Sequence, residues 1–423
     1  MKKQLLLFVT ILSVATSTFA VEVEINGLWF EVVSKTKEAT VIKYKNNIQY
    51  SGAIEIPEIV EYEGENYNVT SIGNSAFYNC YNLTSVIIPN SVTSIGKRAF
   101  QWCEYMTTVT ISNSIDIIND YSFSCCKRLN SVIIPNSVTT IGACAFERCI
   151  SLTTITIPEK VTGIGGSAFL GCIGLTSVTI PNSVTSIDGC AFQRCTNLTT
   201  IEIPNSLTSI KNDVFRECSG LTSISIPSTV KDIGNYAFLG CSGLTSVTIP
   251  DGVTSIGERA FDDCSSLSII KLGSNVSNIS YKAFSNCQEL TDFFCYTENL
   301  PTTKSDAFSG SHIEYATLHV PVNLIDSYKM ESPWSDFKDI VALNDETGIT
   351  QVSAKAVLIQ SNGNILSVSG AEHGTDITVY NAAGQRVGSA NASSTKTDII
   401  TSLRSGDVGI VKIGDKSVKV LMK

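Results

Sequence analysis

A phenylalanine recurs every 23 residues, ten times without an insertion, through the middle of this 423-residue chain. Each is followed by a cysteine three residues later and by Leu or, once, Met106 six residues later. A fixed period of this length makes each unit one turn of a coil, so the spacing predicts a repeat solenoid whose stacked coils share one core. The phenylalanines are Phe77, Phe100, Phe123, Phe146, Phe169, Phe192, Phe215, Phe238, Phe261 and Phe284.

Each unit contains one clear strand pattern. In residues 175–181, Val178 and Ile180 alternate with Ser177 and Thr179. This alternation of β-branched and hydroxyl residues is typical of a strand with its apolar side chains inward and its hydroxyls outward. Pro181 ends the strand because proline cannot donate a ladder hydrogen bond. Ten such strands, about 4.8 Å apart, predict a parallel sheet roughly 48 Å long.

The rest of the unit predicts a second extended segment and a turn. Val184 and Ile187 begin the segment, and the run from Ala191 to Cys195 has the pattern of a short helical turn that places Phe and Cys inside. Glycine dominates the position just before this turn, which predicts a positive φ angle there. The occupants of this glycine column are Gly73, Gly96, Asn119, Gly142, Gly165, Asp188, Lys211, Gly234, Gly257 and Ser280.

The motif Leu-Thr-Ser-Val-Thr-Ile-Pro, followed by Val-Thr-Ser-Ile and Ala-Phe-x-x-Cys, resembles the BspA-type leucine-rich-repeat family. The resemblance runs from about Ile54 to Pro321. It implies a right-handed solenoid on the surface of host-associated bacteria. It also implies adhesion, because members of that family have been linked to host matrix proteins and to other microbes. The predicted fold is thus a β-rich repeat solenoid with a parallel sheet, plus a small C-terminal β-sandwich.

Five segments are predicted along the chain. Residues 1–20 have the basic start, the apolar run and the Thr18-Phe19-Ala20 cleavage site of an export signal peptide. Residues 21–69 are predicted to form an N-terminal β cap, 70–294 the solenoid, 295–345 a C-terminal cap and 346–423 the β-sandwich. Caps are needed because the terminal coils otherwise expose core and strand edges. The aromatic residues available to cover the first coil are Trp29, Phe30, Tyr44, Tyr50 and Tyr62.

The repeat register slips by one residue at the C-terminal end. Phe308 lies 24 residues after Phe284, and Ser311 stands where a cysteine is expected. The stretch from Leu324 to Val341, which contains Trp334 and Phe337, is predicted to close the array as an amphipathic helix or loop.

Short alternating runs at residues 365–368, 377–380, 410–413 and 418–421 predict the C-terminal sandwich. The run from Ile377 to Val387 resembles a strand–turn–strand of the C-terminal sorting domains that the type IX secretion machinery recognises. The alternative is a terminal sandwich without a sorting role, because the segment before Gly409 lacks the Leu-x-x-Gly-Ile-Tyr pattern.

Fourteen cysteines in an exported chain raise the question of disulfides. Ten of them occupy one column, where the side chains of an in-register ladder point in parallel. We therefore predict free buried thiols, with disulfide pairing as the alternative. Cys144 and Cys190 share a repeat position two units apart, roughly 10 Å, which is too far for a bond.

No catalytic, cofactor or metal site is predicted. The sequence has no histidine between Val21 and Gly310 that could serve as the base for a nucleophile. His312, His319 and His373 lack a second ligand at a zinc-like spacing, and a metal pair at Cys125-Cys126 is the alternative. We interpret Asp262-Asp263 as a solvated turn. The net charge of -9 argues against nucleic acid. The sequence predicts a monomeric, non-enzymatic protein without a small-molecule substrate.

The outward strand positions form a broad, nearly uncharged hydroxyl surface. We predict that it binds a host or microbial surface protein or glycan. The alternatives are hydroxyls that merely keep the sheet soluble, a threonine array that binds ice, and a non-binding spacer on the cell surface. The predicted binding face comprises Thr108, Thr110, Thr154, Thr156, Ser177, Thr179, Thr200, Glu202, Ser223, Ser246, Thr248 and Lys271.

Overall fold

A computed structural model describes residues 20–45, 49–343, 358–362, 364–369, 374–381, 383–393, 396–404, 406–413 and 416–421. All but the last residue of the predicted signal peptide, 1–20, lies outside the described residues. The chain divides between Leu343 and Asn344 into two compact units. Within the described ranges, no helix is long and apolar enough to cross a membrane.

A mixed sheet covers the first coil, where the β cap is predicted, and it is antiparallel except where Glu38–Val41 pairs in parallel with Glu65–Ile72. Its core face buries Phe30, Val32 and Val41. The Tyr50 ring lies 5.0 Å from the Phe77 ring, centroid to centroid, and so begins the stack of aromatic rings inside the solenoid. The strands of this cap sheet, in sheet order, are Ala20–Ile25, Leu28–Val33, Glu38–Val41, Glu65–Ile72 and Ile59–Tyr62.

The strands predicted from the Ser-Val-Thr-Ile pattern form one side of the solenoid, which we call the front sheet. Its strands are parallel, and strands of neighbouring coils pair within each segment of the sheet, as Thr154–Thr156 does with Ser177–Thr179. The front strands are Gly52–Glu55, Leu83–Ile87, Thr108–Thr110, Thr154–Thr156, Ser177–Thr179, Thr200–Ile201, Ser246–Ile249, Ile269–Leu272, Asp292–Cys295, Thr317–Val320 and Asp339–Ala342.

The front sheet consists of three segments, so the predicted continuous sheet is wrong. The breaks fall at residues 130–134 and 221–226, where no strand forms. At these coils the backbone bonds from Asn130 N to Thr107 O and from Thr222 N to Thr199 O lengthen to 3.4 Å. A single bridge between Glu202 and Ser225 remains at the second break.

The second extended segment of each unit forms a back ladder of two-residue parallel strands. It has three parts, the first of which is Ser94–Ile95 paired with the end of Glu65–Ile72. Except in Thr302–Thr303, the second residue of each back strand is an isoleucine that faces the core, as Ile141 and Ile164 do. The back strands are Ser94–Ile95, Ile117–Ile118, Thr140–Ile141, Gly163–Ile164, Ser186–Ile187, Ser209–Ile210, Asp232–Ile233, Ser255–Ile256, Asn278–Ile279 and Thr302–Thr303.

The segment predicted as a helical turn places Phe and Cys in the core, as predicted, but it is a run of tight turns rather than a helix. In the coil of Phe169, the N–H groups of Ser167, Phe169 and Gly171 bond instead to carbonyls of the next coil, at 3.0, 2.8 and 2.7 Å. Ser167 and Gly171, on either side of Phe169, have φ angles of 57° and 70°. Because these residues are left-handed, every second N–H group of the turn segment points toward the next coil. The turn segments of neighbouring coils, which we call the turn side of the solenoid, are therefore also joined by a ladder of hydrogen bonds.

The positive φ angle predicted for the glycine column is also wrong, because the left-handed residues lie two and six positions further on. Glycine is favoured for another reason. A Cβ on Gly165 would lie 2.6 Å from the backbone nitrogen of Ala143 in the preceding coil, and a Cβ on Gly257 would lie 2.6 Å from Asn235 N. Close approach of neighbouring coils therefore explains the glycine column.

The core is a stack of parallel phenylalanine rings. From Phe77 to Phe308, successive ring centroids are 4.9 to 5.9 Å apart and the rings are tilted by at most 17°. Each cysteine from Cys103 to Cys287 donates its S–H to the carbonyl of the phenylalanine one coil earlier, over 3.1 to 3.4 Å. Ser311 donates to Phe284 O at 2.6 Å, so a serine takes over the cysteine's position in the slipped coil.

The C-terminal cap combines the predicted helix with a strand that was not predicted from the sequence. The α-helix is Ile325–Met330, and short 3-10 turns span Ile313–Tyr315, Val322–Leu324 and Trp334–Asp336. Asp339–Ala342 then adds a final strand to the front sheet beside Thr317–Val320. Trp334 is fully buried, with its ring centroid 5.2 Å from that of Phe308, and so ends the stack.

The second unit is a β-sandwich, as predicted. Leu358–Asn362, Ile365–Ser369 and Lys396–Ile400 form one antiparallel sheet, and Arg386–Asn391, Asp376–Asn381, Val408–Ile413 and Lys416–Leu421 form the other. The two sheets share a small core that includes Leu366, Ile399, Ile377, Val379 and Val411. The strands at 358–362 and 396–400 were not predicted from the sequence.

Candidate functional site

The predicted binding face lies on the outer surface of the front sheet. Eleven of its twelve residues are exposed, and Lys271 is half-buried. Thr154, Ser177 and Thr200 stand side by side on neighbouring strands, as do Thr156 and Thr179. Ser223 is exposed but lies in the second break between sheet segments, so it is not a strand residue as predicted.

The hydroxyls of the solenoid fall into two classes. One class precedes the strands and donates to a backbone carbonyl of the previous coil, as Thr199 Oγ1 does to Thr176 O at 3.1 Å and Thr139 Oγ1 to Asp116 O at 3.1 Å. Those hydroxyls hold the coils together. The hydroxyls of Thr154, Thr156 and Thr179 have no hydrogen-bond partner among the described residues, so their donors and acceptors are free for a ligand.

The chemistry of the front sheet changes along its length. Near the N-terminal end, Ile87 and Ile133 are exposed among the hydroxyls, and Ile133 is 84% exposed. The central strands present Ser and Thr with one carboxylate, Glu202, which has no ion-pair partner within the described part of the chain. The face therefore offers hydrogen-bonding groups in its centre and aliphatic contacts at one end.

A cluster at the C-terminal end of the front sheet was missed as a site. The Phe294 and His319 rings stack with centroids 4.2 Å apart, and Lys271 Nζ lies 5.6 Å from the centre of the Phe294 ring. His319 Nε2 is 2.9 Å from Asp292 Oδ1. The sequence feature that could have indicated this cluster is Phe294, an aromatic residue at an outward strand position. Because Lys271 packs on Phe294, its ammonium group is less available to a ligand than the sequence suggested.

All fourteen cysteines are free thiols. Burial raises the pKa of the Cys172 and Cys218 thiols to about 12, so the column is protonated and unreactive at neutral pH. Cys144 and Cys190 are half-buried. Cys125 and Cys126 are both buried, and no group of three or more potential metal ligands occurs among the residues that the structure describes.

Asp262 differs from the solvated turn expected from the sequence, because its side chain is buried. It accepts hydrogen bonds from Ser285 Oγ and, at 3.0 Å, from Asn286 Nδ2, both one coil further along. Only Asp263 is exposed. Donors from the neighbouring coil, which sequence proximity does not show, replace the water that a buried carboxylate loses.

The chain matches the family model described as the BspA type leucine rich repeat region, in six copies over residues 61–176, 116–223 and 208–332. It is similar to a leucine-rich repeat protein from Bacteroides ovatus, with 25% identity and a TM-score of 0.51 over 76% of this chain and 100% of that one. A leucine rich cell surface protein from Faecalibacterium prausnitzii is 27% identical over 77% of this chain and 96% of that one, with a TM-score of 0.47. No curated protein matches the chain. The matched repeats cover more than half of the sequence, and the chain belongs to the BspA-type leucine-rich-repeat family.

Proposed function

We propose that this is an exported, monomeric surface protein that binds a host or microbial protein or glycan through the centre of its front sheet, without catalysis. The observation that carries the proposal is the set of exposed hydroxyls of Thr154, Thr156, Ser177, Thr179 and Thr200, which form no hydrogen bond within the part of the chain that the structure describes. Members of the family are typically surface or secreted bacterial proteins, which supports the predicted export.

The hydroxyl surface favours a distributed contact over a single anchor. Each hydroxyl can donate and accept a hydrogen bond, and strands about 4.8 Å apart present these groups at regular intervals. A net hydrogen bond contributes only about 1 kcal/mol, so strength has to come from many contacts or from a multivalent ligand. Extended surface proteins and glycans both supply such repeated contacts.

The test uses the mature full-length protein and a panel of immobilised matrix proteins and host glycans. We expect saturable binding that falls at least about tenfold in a Thr156→Arg, Thr179→Arg variant, because a bulky charge interrupts the hydroxyl array. The matched control is Ser94→Arg, Thr140→Arg on the exposed side of the back ladder, which should bind normally. Equal losses in both variants would show that the front sheet is not the binding face.

Two alternatives remain for the solenoid. A spacer would show no saturable binding to any member of the panel. An ice-binding array would give thermal hysteresis, but the exposed Ile133 and Glu202 and the breaks in the front sheet interrupt the regular surface that ice requires.

For the second unit, we propose a sorting or anchoring role, with a passive terminal sandwich as the alternative. The resemblance of residues 377–387 and the observed hairpin of Asp376–Asn381 with Arg386–Asn391 support it. Mass spectrometry of protein recovered from the cell surface tests the role. Removal of residues 346–423 or a covalent anchor supports sorting, whereas an intact, unmodified C-terminus contradicts it.

A further inference from the structure

A cavity of about 400 Å³ lies between the cap sheet and the first front strand. Trp29 and Tyr44 contribute aromatic rings to its wall, and Glu24 and Glu55 contribute carboxylates. The volume falls within the range of small-ligand sites, which is about 300–1,000 Å³. The front-sheet proposal does not use this cavity.

The two carboxylates of the cavity are available to a ligand. Glu24 and Glu55 are exposed, and neither has an ion-pair partner among the described residues. Glu24 stands directly opposite Trp29 in the first hairpin, so a carboxylate and an indole ring share one face of the cap sheet. Tyr50 does not compete for a ligand, because its hydroxyl donates to Ile42 O and accepts from Trp29 N, both at 2.9 Å.

The protein already places a cation of its own against this wall. The Lys45 ammonium lies 5.1 Å from the centre of the Trp29 ring and forms an ion pair with Glu22. A ring face and a carboxylate together are the combination that attracts ammonium and guanidinium groups. The contacts of Lys45 thus show that an ammonium group can pack against this wall of the cavity.

The charge of the whole cap favours the same ligand chemistry. Residues 21–69 contain nine glutamates, four lysines and no aspartate or arginine, a net charge of −5 out of −9 for the chain. An acidic surface raises the local concentration of cations and disfavours anions. The binding of a neutral sugar would not be strengthened by the negative electrostatic potential of the cap.

We infer that the cavity bounded by Glu24, Trp29, Tyr44 and Glu55 binds a basic side chain, lysine or arginine, of a protein ligand. This is a second contact site, separate from the hydroxyl face. The ammonium or guanidinium group would pair with the carboxylates while the aliphatic stem packs on the rings.

The inference is tested by isothermal titration of the mature full-length protein with Nα-acetyl-lysine amide. Nα-acetyl-norleucine amide, which lacks the ammonium group, and the neutral sugar maltose serve as comparison probes. We expect saturable binding of the lysine derivative at millimolar concentrations or below, weakened by salt, and no binding of the other two. Glu24→Gln, Glu55→Gln should weaken it at least about tenfold, whereas the equally charged control Glu58→Gln, Glu61→Gln should not.

A second variant tests the role of the internal lysine. Lys45→Gln frees the Trp29 ring and should tighten lysine binding by about threefold, whereas Lys35→Gln, with the same change in net charge, should have a smaller effect. Equal binding of norleucine, preferential binding of maltose, no saturable binding, or insensitivity to the two glutamine substitutions would overturn the inference. None of these results depends on the arginine substitutions in the front sheet, so the two proposals fail separately.

Discussion

Phe169 illustrates how a residue acts within a stack. Its ring centroid lies 5.5 Å from that of Phe146 and 5.3 Å from that of Phe192, and its side chain is fully buried. Offset stacking adds about 0.5–1.5 kcal/mol to the stabilisation from burial. Removing one ring therefore disturbs two contacts as well as leaving a cavity.

We expect Phe169→Ala to lower the free energy of unfolding by about 3–5 kcal/mol, because the cavity lies in a tightly packed core. Thr179→Ala, on the exposed face, should change it by less than about 0.5 kcal/mol. Urea denaturation followed by circular dichroism measures both. Equal unfolding midpoints would contradict the assignment of inward and outward positions.

The cysteine column gives the protein a pH dependence in the alkaline range. Burial raises the pKa of the Cys80 thiol to about 11 and those of Cys172, Cys218 and Cys287 to about 12, from an ordinary value near 9. Near pH 10 the unfolded chain loses these protons and the folded chain keeps them. The thiols' contribution to stability is therefore complete below pH 9 and is lost as the pH rises towards 12.

We expect the urea midpoint to fall steeply between pH 9 and 11, with protons released on unfolding. Lysines and tyrosines also titrate in this range, so the informative comparison is Cys172→Val, which should release one proton fewer at pH 10. Thiol titration adds a check: Cys144 and Cys190 should react in the folded protein and the column only after unfolding. A lack of free thiols after denaturation would show disulfides instead.

At the scale of the repeating elements, the glycine column shows how closely the coils approach. The Cβ of an alanine at Gly165 would meet backbone atoms of Gly142 and Ala143, which cannot move independently. At Gly163, two residues earlier, it would meet only the Ser186 hydroxyl, at 3.1 Å. Some coils carry Asn119, Asp188 or Lys211 in this column, so local adjustment is feasible at some cost.

Gly165→Ala should therefore destabilise the protein by about 1–3 kcal/mol, and Gly163→Ala by less than about 1 kcal/mol. Thermal denaturation of the two variants measures the difference. A similar loss of stability at both positions would mean that chain entropy, rather than the approach of the preceding coil, explains the conservation of glycine from unit to unit.

Element by element, the alternating pattern around Thr179 was sufficient to predict the front strands. The turn side was not predictable in the same way. Its left-handed residues include Arg98, Trp102 and Tyr121, which have no intrinsic preference for that conformation. The conformation is imposed by hydrogen bonds to the next coil, and these have no local signature in the sequence.

At the scale of the first unit as a whole, stability should depend on contacts between neighbouring coils, as in other repeat proteins. Trp334 closes the stack against Phe293 and Phe308, while Tyr50 closes it against Phe77 at the other end. Damage to one cap should therefore spread inward over a few coils rather than reach the far end.

We expect Trp334→Ala to raise hydrogen exchange in the coils of Phe284 and Phe308, because the terminal ring loses its cover. Exchange in the coils of Phe77 and Phe100 should stay unchanged. Hydrogen exchange with mass spectrometry resolves the two regions. Uniform deprotection from end to end would indicate a single cooperative unit and contradict the nearest-neighbour picture.

The 23-residue period determined which residues share a column, because residue i must stack on residue i+23 whatever the detailed backbone, and the apolar alternation within each unit determined which columns face inward. Together these two patterns determined the phenylalanine and cysteine columns and the outward position of the hydroxyls. Only the tertiary structure decided which hydroxyls are free, why glycine recurs, that Asp262 is buried, and that Glu24, Trp29 and Glu55 border one cavity. Each of these depends on contacts between coils or between the cap and the first coil, and such contacts have no periodic signal along the chain.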